Sequence, residues 1–335
     1  MTDFTLPVEI PPFPWKSGYA AKHLFLGSCF TENIGGIMEG LKFKTDINPF
    51  GILYNPVSLS DALGRLVTAD PFAKEDLFHH GGLWHSYRHH GRFSGTDPDE
   101  TLQRINQRLE TGSRFLKQAD FLLITLGTAW VYEQKTTGAV VANCHKVPAR
   151  EFSRYRLTVT QSVACLREVL EEVWNINPGI RVIFTVSPVR HTRDGAVENQ
   201  LSKAVLLLTC DALVTGFGKE RCFYFPAYEI MMDELRDYRF YAADMIHPSP
   251  VAVDFIWDKF KTTLFGKADL ELSREITQVK KAMEHRPLNS VSAEYRQFLE
   301  NSLRTISLLV KNHPVLDFSA EIHYFSKQIE NGSEK

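Results

Sequence analysis

The chain has 335 residues, 44% of them hydrophobic, and is long enough to bury a sizeable core. Its 38 basic and 40 acidic residues give a formal net charge of -2 and form no long block of either sign. This charge pattern argues against nucleic acid or an anionic membrane surface as a partner. The five cysteines are widely spaced and odd in number, without a CxxC pair, which favours reduced thiols over a disulfide framework.

The N-terminal segment carries an acidic residue and several prolines, where a signal peptide would need a basic segment and an unbroken apolar run. No apolar run approaches the ~20 residues needed to cross a bilayer, and candidates such as AVLLLTCDALV are interrupted or flanked by charge. We therefore expect an irregular N-terminal arm and a cytoplasmic protein that is not inserted in a membrane.

Short apolar segments alternate with amphipathic ones along most of the chain, as a parallel sheet with crossover helices requires. The predicted strands are residues 23–27, 120–127, 180–188 and 221–226, and the predicted helices are residues 31–41, 99–117, 157–175, 198–215 and 251–264. After about residue 270 the sequence consists of charged amphipathic segments separated by prolines. We expect an α/β domain over residues 1–267 and a helical C-terminal module over residues 268–335.

The first predicted strand ends at Gly27-Ser28-Cys29, where the sequence turns into a helical pattern. Open α/β sheets place their ligands at the carboxyl ends of strands, so Ser28 is a candidate nucleophile. A plainer interpretation is that Ser28 caps the following helix, and the two roles are compatible because a helix N-terminus also offers donors to an oxyanion. Cys29 is a rival nucleophile, since a thiol at a helix N-terminus is often reactive, but a small buried hydrophobic residue is the favoured interpretation.

A serine hydroxyl needs a base, and the segment ADMIHPSP before the last helix of the α/β domain supplies a candidate. Asp244 and His247 are three residues apart, so in one helical turn the carboxylate would hold the imidazole in its working tautomer. The same spacing is common in simple capping pairs, and alone it decides little. Combined with a serine at a strand end, it predicts a Ser-Asp-His triad.

The order of an early serine and a late Asp-x-x-His on a parallel sheet resembles the SGNH, or GDSL-like, hydrolase superfamily. The match is closer in the segments GSCFTENIG, NPFGILYNP, ITLGTAWVYE, NCHKVP and YFPAYEIMMDELRDYRFYAADMIHPS, which are similar to those of the GSCFA family, a branch of that superfamily. The resemblance covers about residues 20–262. It implies a three-layer α/β fold and an ester hydrolase without a cofactor, in which Ser28 is the nucleophile, His247 the general base and Asp244 the residue that orients it.

The resemblance also implies an oxyanion hole. Besides the N–H of Ser28, such sites use a glycine N–H after the second strand, for which Gly51 in NPFGILYNP is the candidate. They also use an asparagine side chain, and this chain has Thr128 near that position. The second donor is therefore open between Thr128 and the neighbouring Asn48 or Asn55.

The segment HHGGLWHSYRHHGRFSG contains five of the 12 histidines. Metal binding is the sharper hypothesis, but only His85 and His89 have the HxxxH spacing, and no carboxylate accompanies them. We therefore predict no bound metal. We predict instead a loop or short hairpin over the mouth of the site, with His85 and His90 in contact with substrate.

Three further residues follow apolar strands and are predicted to line a substrate pocket, namely Trp130, His145 and Arg190. A satisfied position in the core is the alternative for the tryptophan and the histidine. Asn199 and Lys203 lie four residues apart on one helix face, where a solvated or capping role is the default.

Together these observations predict a hydrolase that cleaves an acyl ester, with an O-acetyl group on a sugar as the first candidate. The expected partner is a small-molecule or carbohydrate ester, with no nucleic acid, membrane, cofactor or metal. A non-catalytic ligand-binding protein on the same fold stays open, because a fold does not determine a function. Acyl transfer to another sugar is a third alternative that the same triad supports.

Overall fold

A five-stranded parallel sheet lies at the centre of the fold in the computed structural model, which describes residues 6–333. The strands are β1 (Lys22–Gly27), β2 (Lys44–Ile47), β3 (Phe78–His80), β4 (Leu83–His85), β5 (Phe121–Leu126), β6 (Trp130–Gln134), β7 (Val140–Val141), β8 (Phe152–Arg156), β9 (Arg181–Val186) and β10 (Cys222–Tyr224). The central sheet has the order β10-β9-β5-β1-β2, and each neighbouring pair is parallel. The four predicted strands are present, and the predicted α/β fold class is confirmed.

Helices cover both faces of this sheet. The helices along the described part of the chain are α1 (Cys29–Gly40), α2 (Pro56–Thr68), α3 (Pro98–Leu116), α4 (Val159–Ile176), α5 (Gly195–Phe217), α6 (Ala227–Glu229), α7 (Pro250–Leu264), α8 (Lys267–Glu284), α9 (Ala293–Asn312) and α10 (Ser319–Ser333), of which α1 to α5 and α7 pack on the sheet. Side chains alternate along a strand, so Leu24 and Leu26 pack with α2 to α5 on one face, and Phe25 packs with α1 and α7 on the other. The result is the three-layer arrangement predicted from the sequence.

The sequence did not predict strand β2, helix α2 or the antiparallel sheet β7-β6-β8. Strand β2, KTDI, is short and carries two charged side chains, and strands β6 and β8 are largely polar, so none of them has the apolar pattern of a buried strand. Helix α2 does carry a start signal, because the Asn55 side chain accepts the N–H of Ser58 and Pro56 is the first helical residue. The sheet β7-β6-β8 forms one wall of a cavity.

Contacts within the chain divide it into two compact units. The first comprises the chain up to Met38 together with Phe43–Leu264, and the second comprises Glu39–Lys42 together with the chain from Phe265 onward. In the second unit α8, α9 and α10 pack on one another, with Phe325 completely buried among them. The division lies close to the predicted domain boundary. That the two units are independently folding domains stays a prediction.

One helical stretch in the described part of the chain, Thr192–Phe217, is long and apolar enough to span a membrane, although no such segment is expected from the sequence. Helix α5 contains the apolar run AVLLLTCDALV and continues beyond it at both ends, which gives the helix enough length to span a membrane. Its buried side chains, including Leu206 and Leu213, belong to the core beneath the sheet. One third of the apolar window is buried inside the protein.

Candidate active site

The turn that follows β1 depends on a glycine. Gly27 has a φ of +150°, and a Cβ at this position would lie 2.4 Å from the carbonyl oxygen of Thr125. The N–H of Gly27 donates to Asn48 Oδ1 at 2.9 Å, and its carbonyl accepts the N–H of Leu53 at 3.0 Å. These contacts fix the end of the strand, so that α1 begins two residues later, at Cys29.

Ser28, the predicted nucleophile, is buried in this turn. It is 1% exposed, and its Oγ is buried without a hydrogen-bond partner among the residues that the structure describes. Its N–H donates to the carbonyl of Thr125 at 3.3 Å, which prolongs the pairing of β1 with β5 by one residue. The hydroxyl is therefore enclosed by protein, and no hydrogen bond within residues 6–333 joins it to His247.

Cys29, the next residue, is half-buried at the start of α1. Burial raises the pKa of its thiol, while the N–H groups of Phe30 and of Cys29 itself and the charge of Lys203 act in the opposite direction. Tyr54 interacts with the same thiol, because burial and then the charge of Cys29 raise the pKa of its phenol. The thiol thus interacts with the buried amine of Lys203, with the carboxylate of Glu32, which raises its pKa, and with the phenol of Tyr54.

Lys203 is completely buried, which contradicts the predicted solvated or capping role. It is 1% exposed, and its Nζ donates to the carbonyl oxygens of Gly127 at 2.8 Å and Ser187 at 2.7 Å. Burial lowers its pKa to about 7, and the nearby Cys29 acts in the opposite direction. Since Gly127 and Ser187 directly follow β5 and β9, this amine ties together two strand ends beside the β1 turn.

Asp244 and His247 form a hydrogen-bonded pair. Nδ1 of His247 lies 2.7 Å from one carboxylate oxygen of Asp244, and the other oxygen accepts the N–H groups of Ile246 at 2.9 Å and of His247 at 3.0 Å. These bonds, chiefly those from the two backbone N–H groups, lower the pKa of Asp244 to about 2. A carboxylate only accepts hydrogen bonds, so the neutral imidazole carries its proton on Nδ1 and offers Nε2 as a base. Both side chains are about half exposed, so this base is accessible from solvent.

The loop that carries this pair is closed by backbone hydrogen bonds. The N–H of Ala242 donates to the carbonyl of His247 at 2.7 Å, and the N–H of Arg190 donates to the carbonyl of Ile246 at 3.2 Å. The guanidinium of Arg190 lies 4.1 Å from the ring centre of Tyr241. Arg190, which was predicted to bind substrate, thus packs against the loop of His247 and is not part of the wall of the 540 Å³ cavity.

His191 follows the carboxyl end of β9, and it was not predicted from the sequence as a site residue. The ring of His191 stands at a right angle to that of Tyr54, with the centroids 5.8 Å apart. The backbone N–H of His191 donates to Oδ1 of the buried Asn199 at 2.9 Å. Burial lowers the pKa of His191 to about 4, and the charges of Lys203 and His247 act in the same direction. The available signal was its place at the end of TVSPVRH, directly after a buried strand.

A cavity of about 540 Å³ opens beside Tyr54 and His191. Trp130, predicted to line a pocket, is part of its wall, and the guanidinium of Arg154 lies 4.3 Å from the tryptophan ring centre. Arg154 is also paired with Asp194, another residue of this wall. Aromatic faces combined with charged and hydrogen-bonding groups suit a polar, hydroxylated ligand.

Two predicted oxyanion donors, Gly51 and Thr128, have backbone N–H groups that are hydrogen-bonded to other parts of the protein. The N–H of Gly51 donates to the carbonyl of Asn48 at 2.8 Å, and that of Thr128 donates to the carbonyl of Tyr54 at 3.0 Å. The hydroxyl of Thr128 lies 3.1 Å from Oγ of Ser202. The partners of Thr128 come from distant segments of the chain, which a sequence motif cannot reveal.

The two alternative asparagines also have other partners. Nδ2 of Asn48 donates to Glu32 at 3.3 Å, and Nδ2 of Asn55 donates to Oγ of Ser58 at 3.0 Å, within the cap of α2. In the first turn of α1, the backbone N–H of Phe30 interacts with the sulfur of Cys29.

Two histidines predicted to contact substrate have structural roles. His85 is buried, and its Nδ1 lies 2.6 Å from Oγ of Ser94. His145 is buried as well, with Nε2 2.8 Å from the carbonyl of Ser86, and the two imidazole rings have centroids 4.5 Å apart. Their ring nitrogens are thus hydrogen-bonded within the protein, and neither residue is part of the wall of the 540 Å³ cavity.

His90 and the rest of the predicted hairpin lie away from the cavity wall. Strands β3 and β4 do form an antiparallel hairpin, but none of its residues lines the cavity. Nδ1 of His90 accepts the N–H of Arg92 at 3.3 Å, and its Cβ lies against Gly51. Within residues 6–333, no group of three or more His, Cys, Asp or Glu side chains is placed to hold a metal ion.

Comparisons with known proteins complete this description. Residues 22–260 match the model of the GSCFA family, and residues 276–331 match that of the GSCFA domain protein, C-terminal domain. Among solved structures, the chain is similar to an acetyl xylan esterase (Est2A) from the rumen bacterium Butyrivibrio proteoclasticus, at 12% identity and a TM-score of 0.38. That match covers 73% of this chain and 65% of the esterase chain, and is too distant to indicate activity. No curated protein matches the chain.

Proposed function

The chain belongs to the GSCFA family, and from this premise we propose that it is an acyl-ester hydrolase with its active site at the carboxyl end of β1. The observation that carries the proposal is the pair formed by Asp244 and His247. Its imidazole is oriented by a carboxylate, accessible from solvent, and free to accept a proton at Nε2. A pair that served only as a cap would need the carboxylate but not the imidazole.

In the proposed reaction, His247 removes the proton of a nucleophile supplied by the turn Ser28–Cys29 and returns it to the leaving alcohol. Asp244 keeps the imidazole in the reactive tautomer and stabilises its positive charge without itself moving a proton. The first-turn N–H groups of α1, at the positive end of the helix dipole, stabilise the oxyanion. No step needs a cofactor.

The cavity supports a carbohydrate or another polar molecule as the alcohol part of the ester. Trp130 and Tyr54 offer aromatic faces, and Arg193 and Lys146 add positive charge to the wall. Stacking on an aromatic ring combined with hydrogen bonds to hydroxyl groups is a common way to bind a sugar. An O-acylated sugar is therefore the first substrate class to test.

The test is a panel of acetylated mono- and disaccharides and simple acetate esters, assayed with the full chain and with Asp244→Asn. We expect ester cleavage that falls by about 10²-fold or more in the variant, because the imidazole loses its orientation. Asp237→Asn is the matched control, since the Asp237 carboxylate accepts the N–H of Arg239 at 2.9 Å in the same way but holds no histidine.

Binding of the acetylated sugars without cleavage would show a ligand-binding protein and reject the proposal. Equal losses in Asp244→Asn and Asp237→Asn would show that the carboxylates only brace the chain. Product analysis with an added sugar acceptor distinguishes transfer from hydrolysis, since only transfer moves the acetyl group onto the acceptor.

A further inference from the structure

We propose that the 540 Å³ cavity binds a sugar that carries a negatively charged group, a carboxylate or a phosphate; this inference rests on the proposed ester hydrolysis and narrows its substrate class. The proposal comes from the charges of the cavity wall. Among the described residues that line the cavity, three side chains are basic, Lys146, Arg154 and Arg193, and Asp194 is the one acidic side chain. The wall therefore has an excess of positive charge.

The acidic side chain of this wall is already paired. The guanidinium of Arg154 donates to both carboxylate oxygens of Asp194, with Nη2 2.5 Å from Oδ2, and these hydrogen bonds lower the pKa of the carboxyl. Bidentate pairs of this kind are strong, so the two charges cancel each other. His191, whose pKa burial lowers to about 4, is neutral near pH 7. The unbalanced charges of the wall are those of Lys146 and Arg193.

These two cations are exposed and available to a ligand. No ion pair within residues 6–333 involves the side chain of Lys146 or of Arg193. Arg193 donates to the hydroxyl of Tyr132, another residue of the wall, and its guanidinium lies 5.5 Å from the centre of that ring. A guanidinium has five N–H donors, so this contact leaves most of them for a ligand.

A strained turn holds the backbone of Lys146 at the cavity. His145 has a φ of +48° and Lys146 a φ of +62°, so two successive residues other than glycine have left-handed backbone conformations. The backbone N–H of His145 donates to Oδ1 of Asn143 at 2.9 Å, and Nε2 of its ring lies 2.8 Å from the carbonyl of Ser86. Such strain persists where surrounding contacts impose it, and it is concentrated at binding sites. The position of this lysine is therefore fixed by the fold.

The wall beside these cations is rich in donors. The guanidinium of Arg154 lies 4.3 Å from the ring centre of Trp130. Nε1 of Trp130 and Nε of Arg154 are buried and have no hydrogen-bond partner among the residues that the structure describes. Buried polar groups normally have partners, so this wall is short of acceptors. A carboxylate is a group that only accepts hydrogen bonds, and it complements such a wall in charge and in hydrogen bonding.

One loop connects the cavity with the proposed base. His191 lines the cavity, and the preceding residue, Arg190, donates its backbone N–H to the carbonyl of Ile246 at 3.2 Å, next to His247. A sugar in the cavity is thus adjacent to the loop that packs against His247. Lys146 belongs to a different segment of the wall, so we expect its charge to act on the binding of the sugar more than on the cleavage of the ester.

The first experiment measures binding and needs no ester. The full chain is titrated calorimetrically with D-glucuronate, with D-glucose 6-phosphate and with D-glucuronamide, a neutral molecule of nearly the same shape as D-glucuronate. We expect at least one anionic sugar to bind about tenfold more tightly than the amide, because two partly exposed charges attract it. The difference should shrink in 1 M salt, where charges are screened within about 3 Å. The anion that binds more tightly identifies the charged group.

Matched variants locate the binding site. Lys146→Gln and Arg193→Gln should each weaken binding of the preferred anionic sugar by about fivefold relative to binding of the amide. Lys135→Gln removes the same charge from an exposed lysine in the turn between β6 and β7, outside the cavity wall, and should have no effect. Equal affinities for the amide and both anions, no binding of any of the three, or equal losses in the two lysine variants would overturn the proposal.

The second experiment separates this inference from the proposed function. The full chain is assayed with O-acetylated forms of the preferred anionic sugar and of its neutral counterpart, D-glucuronamide or D-glucose. We expect the anionic ester to have the higher kcat/KM, and Lys146→Gln to raise its KM more than it lowers kcat. Cleavage of both esters with equal kcat/KM rejects the anionic substrate and leaves the ester hydrolysis standing. Selective binding of the anionic sugar by a protein that cleaves no ester rejects the proposed function and supports the anion site.

Discussion

His247 and the histidines around the β3–β4 hairpin differ in their surroundings. The His247 side chain is 48% exposed and hydrogen-bonded to a carboxylate. His89 is 2% exposed, and its ring stacks on Phe50 with the centroids 4.7 Å apart. Burial lowers the pKa of His89 to about 3 and that of His145 to about 4. The buried rings are therefore neutral near physiological pH and pack as aromatic groups.

This difference shows that the density of histidines in a sequence is a poor guide to their chemistry. The hairpin segment holds five of the 12 histidines, yet its buried members are committed to packing and internal hydrogen bonds. In His247, by contrast, Asp244 is bonded to Nδ1, and the side chain is about half exposed to solvent. The predictions below change one region and leave the other intact.

The largest effect is expected for His247→Ala, which should lower ester turnover by about 10³- to 10⁴-fold. Stability should barely change, because the side chain is half exposed. The double variant with Asp244→Asn should be little worse than His247→Ala alone, since the two residues act as one unit. Steady-state kinetics and thermal unfolding test this, with His79→Ala as an exposed control from the hairpin. Losses that multiply independently would mean that the two residues do separate jobs.

Lys203→Met should change how stability depends on alkaline pH. The folded-state pKa of Lys203 is about 7, below the ordinary value near 10.4, so between these pH values the unfolded chain binds a proton that the folded chain does not. Wild-type stability therefore gains from this residue as pH rises through that window. From pH 7.5 to 9.5 the stability of the wild type relative to Lys203→Met should rise by about 3 kcal/mol, at about 1.4 kcal/mol per unit.

Urea unfolding of both proteins at the two pH values measures this difference, because the other titrating groups contribute equally to the stability of the two proteins. Lys219→Met, which removes an exposed lysine just after α5, should show no such shift. Parallel stability curves for the wild type and Lys203→Met would mean that the amine stays protonated in the folded protein.

His89→Phe should reduce sensitivity to acid. The folded-state pKa of His89 is about 3, so below the ordinary value near 6.5 the unfolded chain binds a proton that the folded chain does not, and stability falls as pH falls. Between pH 7 and 5 the wild type should lose about 2 kcal/mol more than His89→Phe. Urea unfolding at both pH values tests this, with His79→Phe as the exposed control that keeps the wild-type loss. Ester turnover at pH 7 should be unaffected by either change.

Removal of divalent metals should have the smallest effect. EDTA treatment followed by dialysis should leave ester turnover and the melting temperature unchanged, because the imidazole nitrogens of His85 and His145 are already bonded to protein groups. Elemental analysis of the untreated protein checks the same point. Stoichiometric zinc that is lost together with activity would show that the hairpin region binds metal after all.

Much of the fold was predictable because its signals are local. Four strands of the central sheet are continuous apolar runs, and their bounds differ from the prediction by no more than a few residues. Strand β2 was missed because Lys44–Ile47 is polar and pairs on one side only, at the edge of the sheet. The pairing of Asp244 with His247 was predictable for the same reason, since a three-residue spacing brings the two side chains together within one turn of chain.

The sequence by itself thus determined the layers of the fold, the strand-end turn and the aspartate–histidine pair. Only the tertiary structure decided that Ser28 is enclosed while Cys29 is half-buried, and that the N–H of Gly51 is already bonded. It also decided that Lys203 is buried, because the carbonyl of Gly127 that holds the amine is 76 residues away in the chain. Burial and hydrogen-bond partners depend on such distant segments, and no local pattern of residue types encodes them.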